Sequence, residues 1–237
     1  MNSFTLYIRR IVGIFLLTIS FTSFTFSQNC SKFYPFSEGT TGQITTYKAN
    51  NKITSIMEYT VKDVRTEMGK EIATLNMEVK DKKGEPVLET DYQYSCEDGV
   101  LSIDFRSMMN SQMFEQFRDF EYEITGTNLN LPNNLAVGDE LPDASVEILI
   151  NMSGINMDMK TFIKDRKVIG QESVTTPAGT FNCYVITYTN DLNMSMGMSQ
   201  TNTAKQWIAE DVGMVKQEDY NRNGKITSSS LLTGFNK

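Results

Sequence analysis

The residues with the clearest potential for chemistry are methionines, of which the 237-residue chain has 14. Nine of them form three groups, which are Met108, Met109 and Met113; Met152, Met157 and Met159; and Met194, Met196 and Met198. Residues two apart in a β-strand share a face. We therefore expect Met157 and Met159 to lie on one face, and the last three methionines likewise.

Three interpretations of these methionines are open. They can fill an ordinary core, or they can line a deformable apolar cavity for a lipid-like ligand, because flexible thioethers suit adaptable surfaces. They can also bind Cu(I), which thioether ligands select. The chain has no histidine, which weakens the copper interpretation.

The same absence excludes Ser-His-Asp and Cys-His catalysis and histidine-ligated zinc or haem. No nucleophile-elbow, P-loop or dinucleotide motif occurs in the sequence. We therefore expect a protein that is not an enzyme and has no cofactor and no metal site.

Two acidic segments could suggest other sites. Residues 219–224 (DYNRNG) match the first half of a calcium loop, but Ser230 stands where a bidentate glutamate is needed. Asn-Gly is also a strong hairpin signal, so a hairpin is preferred. Asp119, Glu121 and Glu123 alternate, which is more typical of a solvated edge than of an acid–base pair.

Residues 1–28 predict a secretory signal peptide, with Arg9 and Arg10 before an apolar stretch at residues 11–26. That stretch is shorter than the ~20 residues of a membrane-spanning helix. We expect export to the periplasm or beyond, and no membrane span in the mature chain. Removing the two arginines changes the formal charge from −7 to −9, so nucleic acid is a poor partner.

The chain has three cysteines, Cys30, Cys96 and Cys183. Export permits a disulfide, and we favour Cys30 with Cys96 because both lie in polar segments at expected strand ends. Cys183 lies in the apolar segment FNCYVITY, which predicts a buried thiol. The sequence alone leaves the pairing open. Asn29 precedes Cys30 where a lipoprotein signal needs a small residue, so a lipid anchor is not expected.

From residue 41 onward, alternating segments separated by short polar or glycine-bearing links predict an all-β, antiparallel fold. Residues 29–237 are expected to form a single β domain. One helix is predicted near 107–118, because Met109, Met113 and Phe117 recur at helical spacing after Ser107. This arrangement favours an open or closed antiparallel barrel with the helix against the sheet.

The sequence also resembles a family. Motifs at residues 177–181 (PAGTF), 207–209 (WIA), 213–216 (GMVK) and 30–39 (CSKFYPFSEG) are similar to those of TapB-like secreted bacterial proteins of unknown function. The resemblance implies the architecture of the LolA-like lipoprotein carriers, which is a curved antiparallel half-barrel holding a helix against its concave face. It implies no catalytic residues.

We therefore expect an exported envelope protein that binds an apolar or lipid-like molecule, or a lipidated partner such as a lipoprotein, in a concave β surface. The rival hypotheses are a structural or protein-interaction module with a solid core and, less strongly, Cu(I) handling. The oligomeric state is not predicted. The residues expected to line the ligand site are Met109, Met113, Phe117, Met157, Met159, Met194, Met196 and Met198.

Overall fold

The structure, a computed structural model, describes residues 30–105, 121–152 and 155–237, without the side chains of residues 152, 155, 156 and 196. The helix predicted near 107–118 lies outside these residues, as does the predicted signal peptide. The strands are β1 (Thr41–Lys48), β2 (Ile53–Glu67), β3 (Lys70–Asp81), β4 (Pro86–Glu97), β5 (Val100–Ile103), β6 (Glu121–Thr127), β7 (Leu129–Pro132), β8 (Ala144–Met152), β9 (Ile155–Thr176), β10 (Gly179–Met194), β11 (Met198–Ala209), β12 (Gly213–Tyr220) and β13 (Ile226–Asn236).

All thirteen strands belong to one sheet, in the order β6-β8-β9-β10-β11-β12-β13-β1-β2-β3-β4-β5-β7. Every pairing between neighbours is antiparallel. The all-β antiparallel fold predicted from the sequence is therefore confirmed. Most connections are short hairpins, as the alternation of strand and turn signals predicted.

The sheet curls into a nearly closed barrel because one stretch of chain reaches both of its edges. Strands β6 and β7 lie at opposite edges, yet only Asn128 separates them. The Asn128 amide donates to the Ser102 hydroxyl at 3.0 Å, and its carbonyl accepts the Phe105 backbone N–H at 3.2 Å. Residues 121–132 therefore pair with β8 along their first part and with β5 along their last part.

The two ends of the barrel differ in the pairing of β4. Strand β4 pairs with β5 over Tyr94 to Glu97. Among the described residues, the earlier part of β4 pairs only with β3. The end at which β4 pairs with β5 also carries the disulfide and is called the base. The other end, where the turns at 49–52, 82–85, 195–197 and 221–225 lie, is called the rim.

The base of the barrel is filled by the segment at residues 30–36. Cys30 is joined to Cys96 of β4 with a Cα–Cα distance of 5.6 Å, the pairing that the sequence favoured. Phe33 is fully buried and packs edge-on against Tyr184 of β10, with ring centroids 5.7 Å apart. Tyr94 of β4 packs against the same segment and donates its hydroxyl hydrogen to the Pro35 carbonyl at 2.5 Å. Because β4 and β10 are far apart in the sheet, their shared core identifies this face as the barrel interior.

A second apolar cluster lies on the outer face. Cys183, Val185 and Trp207 alternate with interior residues along β10 and β11, so they point outward. The Trp207 ring donates its Nε1–H to Glu172 at 2.9 Å, and Lys216 Nζ lies 4.4 Å from its centroid. The wide Trp207 side chain thus covers part of the outer face of the neighbouring strands.

The acidic loop at residues 219–224 is a hairpin between β12 and β13. The Asn221 side-chain carbonyl accepts the backbone N–H groups of Asn223 and Lys225, each at 3.0 Å. Gly224 has φ of 70°, which glycine adopts without strain. The preference for a hairpin agrees with this geometry. No group of acidic, histidine or cysteine side chains suited to a metal occurs among the described residues.

Two expectations about the strands are wrong. Ser195–Gly197 form a turn of 3-10 helix between β10 and β11, so Met194, Met196 and Met198 are not on one continuous strand. The hairpin instead places Met194 directly opposite Met198, with Met196 at its tip. The sequence also suggests two separate strands at residues 159–170 (MKTFIKDRKVIG) and 172–176 (ESVTT), but both segments belong to the single long strand β9.

Candidate functional site

The candidate site is the part of the barrel interior between the core at the base and the rim. Even-numbered residues of β10 face the interior, because Tyr184 and Ile186 belong to the interior core and alternation continues to Met194. The β10–β11 register has no shift, so Met198 faces the interior as well.

A continuous row of apolar side chains crosses five strands near the rim. Directly opposite residues in the sheet share a face and contact one another. The row, called the methionine row below, consists of Ile124, Ile148, Met159, Met194 and Met198, one residue from each of β6, β8, β9, β10 and β11. Met159 packs in a buried cluster with Val146, Ile148, Ile150, Ile124 and Phe105.

The structure thus brings together several of the predicted lining residues. Met157, Met159, Met194 and Met198 lie on the interior face, since Met157 is opposite Ile150 of the same cluster. Met194 and Met198 remain 38% and 59% exposed. Met196 lies in the turn, and its side chain is not described. Met109, Met113 and Phe117 lie outside the described residues.

The exposure of the interior side chains shows where space remains. At the base, the interior residues Val168, Ile186 and Ile208 are fully buried. Toward the rim the packing is uneven, because Ile148 and Ile150 are buried whereas Ile163 and Leu192 are only half-buried. The described side chains therefore fill the base more completely than the interior above it, and that upper part of the interior is called the chamber below.

Tyrosines form the floor of this chamber. Tyr34, Tyr59, Tyr92 and Tyr188 are half-buried around the top of the core. Burial raises the pKa of Tyr34 to about 12, and nearby Arg166 only partly opposes this rise. Burial likewise raises the pKa of the other three, so all four are neutral at physiological pH.

Arg166 is the buried cation of this floor. Its side chain is 5% exposed, and Nη1 donates to the backbone carbonyls of Asn130 at 2.9 Å and Pro142 at 2.6 Å. These bonds join β9 to β7 and to the segment that precedes β8. Burial lowers the pKa of Arg166 to about 10, with Tyr188 and Tyr34 opposing that effect, so the guanidinium stays charged at neutral pH.

Nothing in the residues around Arg166 indicates that it is buried. It lies in the run IKDRKV, which is typical of a solvated surface strand. Asp165 has φ of 55°, and the β9–β10 register shifts there, so a bulge rotates Arg166 to the interior. An aspartate between alternating residues is a weak signal for such a bulge, because aspartate tolerates positive φ better than most residues.

The wall opposite the methionine row is polar. The Gln206 amide donates to Gln217 at 3.3 Å, and the Gln217 amide donates to the Asp219 carboxylate at 3.1 Å. The Ser228 hydroxyl donates to the other Asp219 oxygen at 2.6 Å. The chamber is therefore amphipathic, with an apolar wall on β6, β8, β9 and β10 and a hydrogen-bonded wall on β11 to β13.

A separate pocket of about 680 Å³ lies on the surface near Glu172, Phe181 and Glu210. It contains none of the predicted lining methionines. Cys183 also contributes to it, and burial raises the pKa of that thiol to about 11, with a smaller contribution from Glu172. A thiol of that pKa is protonated at neutral pH and a poor nucleophile.

Residues 37–232 match the family described as DUF3108-like. The chain belongs to the DUF3108-like family. The matched range contains β1 to β12 completely and the first part of β13. No curated protein matches the sequence.

Two solved structures have a fold similar to that of this chain. One is a protein from Bacteroides fragilis described as exported, with a YmcC-like fold; it is 23% identical and has a TM-score of 0.70. The other is described as a lipoprotein of Parabacteroides distasonis and is 27% identical with a TM-score of 0.71. Each comparison covers 88% of this chain and 100% of the other. Within the described ranges of this chain, no helix is long and apolar enough to cross a membrane.

Proposed function

We propose that this protein is an exported, non-catalytic envelope protein that holds a lipid-like molecule, or the acyl chain of a lipidated partner, inside its barrel. Export is supported by the predicted signal peptide and by the similar proteins described as exported and as a lipoprotein. The resemblance to TapB-like and LolA-like proteins supports the same assignment.

The observation that carries the proposal is the methionine row. Five apolar side chains follow one another across the interior face, and the two nearest the hairpin tip are exposed rather than packed. Exposed apolar surface costs free energy in water, which a bound acyl chain would recover. Thioethers adapt to chains of different shape because they are flexible and polarisable.

Fluorescence of the neutral apolar probe N-phenyl-1-naphthylamine tests the proposal. We expect the delipidated mature protein to enhance the probe's emission, and Met159→Gln to weaken binding about fivefold to thirtyfold, the equivalent of roughly 1–2 kcal/mol of lost apolar contact. Met68→Gln is the matched control, because Met68 is fully exposed in a turn. No enhancement by the wild type, or equal binding by a folded Met159→Gln, would refute the proposal.

One observation favours a second candidate, Cu(I) binding. Met159, Met194 and Met198 are consecutive in the row, so three thioethers lie on neighbouring strands. Competition with the chelator bicinchoninate tests this candidate. Wild-type protein that withdraws Cu(I) from the chelator, where a Met194→Leu variant does not, would support copper; no withdrawal would exclude it.

A further inference from the structure

We propose that Arg166 and Asn190 form an oxyanion site at the inner end of the chamber, and that the ligand is a long-chain fatty acid. The carboxylate binds at Arg166, and the tail follows the apolar wall to the methionine row. This inference rests on the proposed function and specifies its ligand.

The first argument is the unused hydrogen-bonding capacity of Arg166. A guanidinium carries five N–H donors. Two bonds, both from Nη1, satisfy the backbone carbonyls of Asn130 and Pro142. The remaining donors, on Nε and Nη2, have no partner among the described residues. They can bind a carboxylate, whose oxygens match the planar guanidinium.

The second argument is that no described carboxylate forms an ion pair with Arg166. The groups whose charges act on Arg166 are Tyr188, Tyr34 and Asp143. The two tyrosines are neutral because burial raises their pKa, and Asp143 is exposed at the surface. Asp219, on the facing wall, already accepts hydrogen bonds from Gln217 and Ser228. A buried unpaired cation is costly, so an anionic ligand group is favoured there.

The third argument is Asn190, which lies on the interior face next to Tyr188 toward the rim. Its side-chain Oδ1 is buried and has no hydrogen-bond partner among the described residues. A rotation of the amide by 180° exchanges its oxygen and nitrogen, so Asn190 can equally present N–H donors to a carboxylate. A hydroxyl ligand would instead donate to the oxygen, and that alternative is separable by experiment.

The fourth argument is the distance from Arg166 to the methionine row. Seven positions of β9 separate Arg166 from Met159, which is roughly 20 Å at the usual rise of a strand. An acyl chain in a bilayer leaflet spans about 15 Å, half of the ~30 Å hydrocarbon core. Ile163, Ala144 and Val146 supply apolar interior surface along the path. A small carboxylate fits the closed inner end, whereas a phospholipid headgroup would have to remain at the rim.

Displacement of the neutral probe by two ligands of equal length tests the inference. We expect laurate to displace the probe from wild-type protein at a concentration about tenfold to a hundredfold lower than 1-dodecanol, as a charged hydrogen bond predicts. In Arg166→Met the ratio between the two ligands should fall to about one, and Arg166→Lys should keep part of it. Arg65→Met is the matched control, since Arg65 pairs with Asp63 and Glu67 at the surface.

The outcomes separate the possibilities. Equal displacement by laurate and dodecanol from wild-type protein would overturn the inference and leave the proposed function standing. Displacement by lauroyl lysophosphatidylglycerol with the same dependence on Arg166 would assign the site to a phospholipid and overturn the fatty acid. Failure of the wild-type protein to bind the neutral probe would overturn both this inference and the proposed function. If Arg166→Met does not fold, the wild-type ratio and Arg166→Lys still decide.

Discussion

The disulfide between Cys30 and Cys96 is expected to supply a large part of the stability of the barrel. It closes a loop with a sequence separation of 66 residues. The loss of chain entropy in the unfolded state for a loop of that length corresponds to about 4 kcal/mol at 25 °C. For a domain of this size, that loss is equivalent to a decrease in Tm of roughly 8–16 °C.

The perturbation is the double variant Cys30→Ala/Cys96→Ala, and the measurement is urea unfolding followed by tryptophan fluorescence. Trp207 is the only tryptophan and lies in the outer cluster, away from the disulfide. The control Cys183→Ala removes a buried thiol and keeps the cross-link, so it should cost only about 1 kcal/mol. Treatment of wild-type protein with dithiothreitol should reproduce the large loss. A double variant within 1 kcal/mol of wild type would show that the segment at residues 30–36 is held by packing alone.

Three further predictions concern packing and ionisation. Gly42→Ala should lower the free energy of unfolding by about 1–3 kcal/mol in urea titrations, because the added Cβ would collide with the Tyr59 ring. Gly170→Ala should change that free energy by less than about 0.5 kcal/mol, because the space around Gly170 is open. Native Cys183 should not react with Ellman's reagent at pH 8 but should react in urea. Its pKa is about 11 in the folded protein and ordinarily near 9, so the thiol of the unfolded state loses its proton at lower pH. The free energy of unfolding should therefore fall from pH 9 upward more steeply in the wild type than in Cys183→Ala. Trp207→Phe removes the N–H donor to Glu172 and should lower the free energy of unfolding by about 1–3 kcal/mol, measured by circular dichroism. An unchanged free energy would mean that Trp207 stabilises the fold through the burial of its ring and not through this hydrogen bond.

The strands and hairpins were predictable because their cause is local. The alternation of residue types along β2, β3 and β4 predicts strands from neighbouring residues alone. The Asn-Gly pair before β13 predicts its hairpin in the same way. Burial of Cys183 followed from its apolar strand. Membership of all strands in one sheet was also expected, since each hairpin places the next strand beside the last.

Features that depend on contacts between distant segments were not predictable. The sequence suggests a loop over residues 131–142, but Leu131 and Pro132 belong to β7, which is a strand through its pairing with β5. Three alternating methionines suggested one strand face, but a three-residue turn at Ser195–Gly197 occupies the same sequence. Arg166 faces inward because of a single bulge beside it. In each case, the conformation is determined by a partner strand that the local pattern does not identify.

The pairing of β4 has a consequence for the size of molecule that the barrel can admit. Near the base, β4 is bonded to both β3 and β5, and the disulfide adds a covalent tie. Near the rim, the described part of β4 before Tyr94 has a ladder on one side only. Among the described residues, widening the barrel beside β4 at the rim therefore breaks no strand ladder, whereas near the base it would break the ladder between β4 and β5. A thick molecule could therefore enter at the rim but would be stopped before it reached the base.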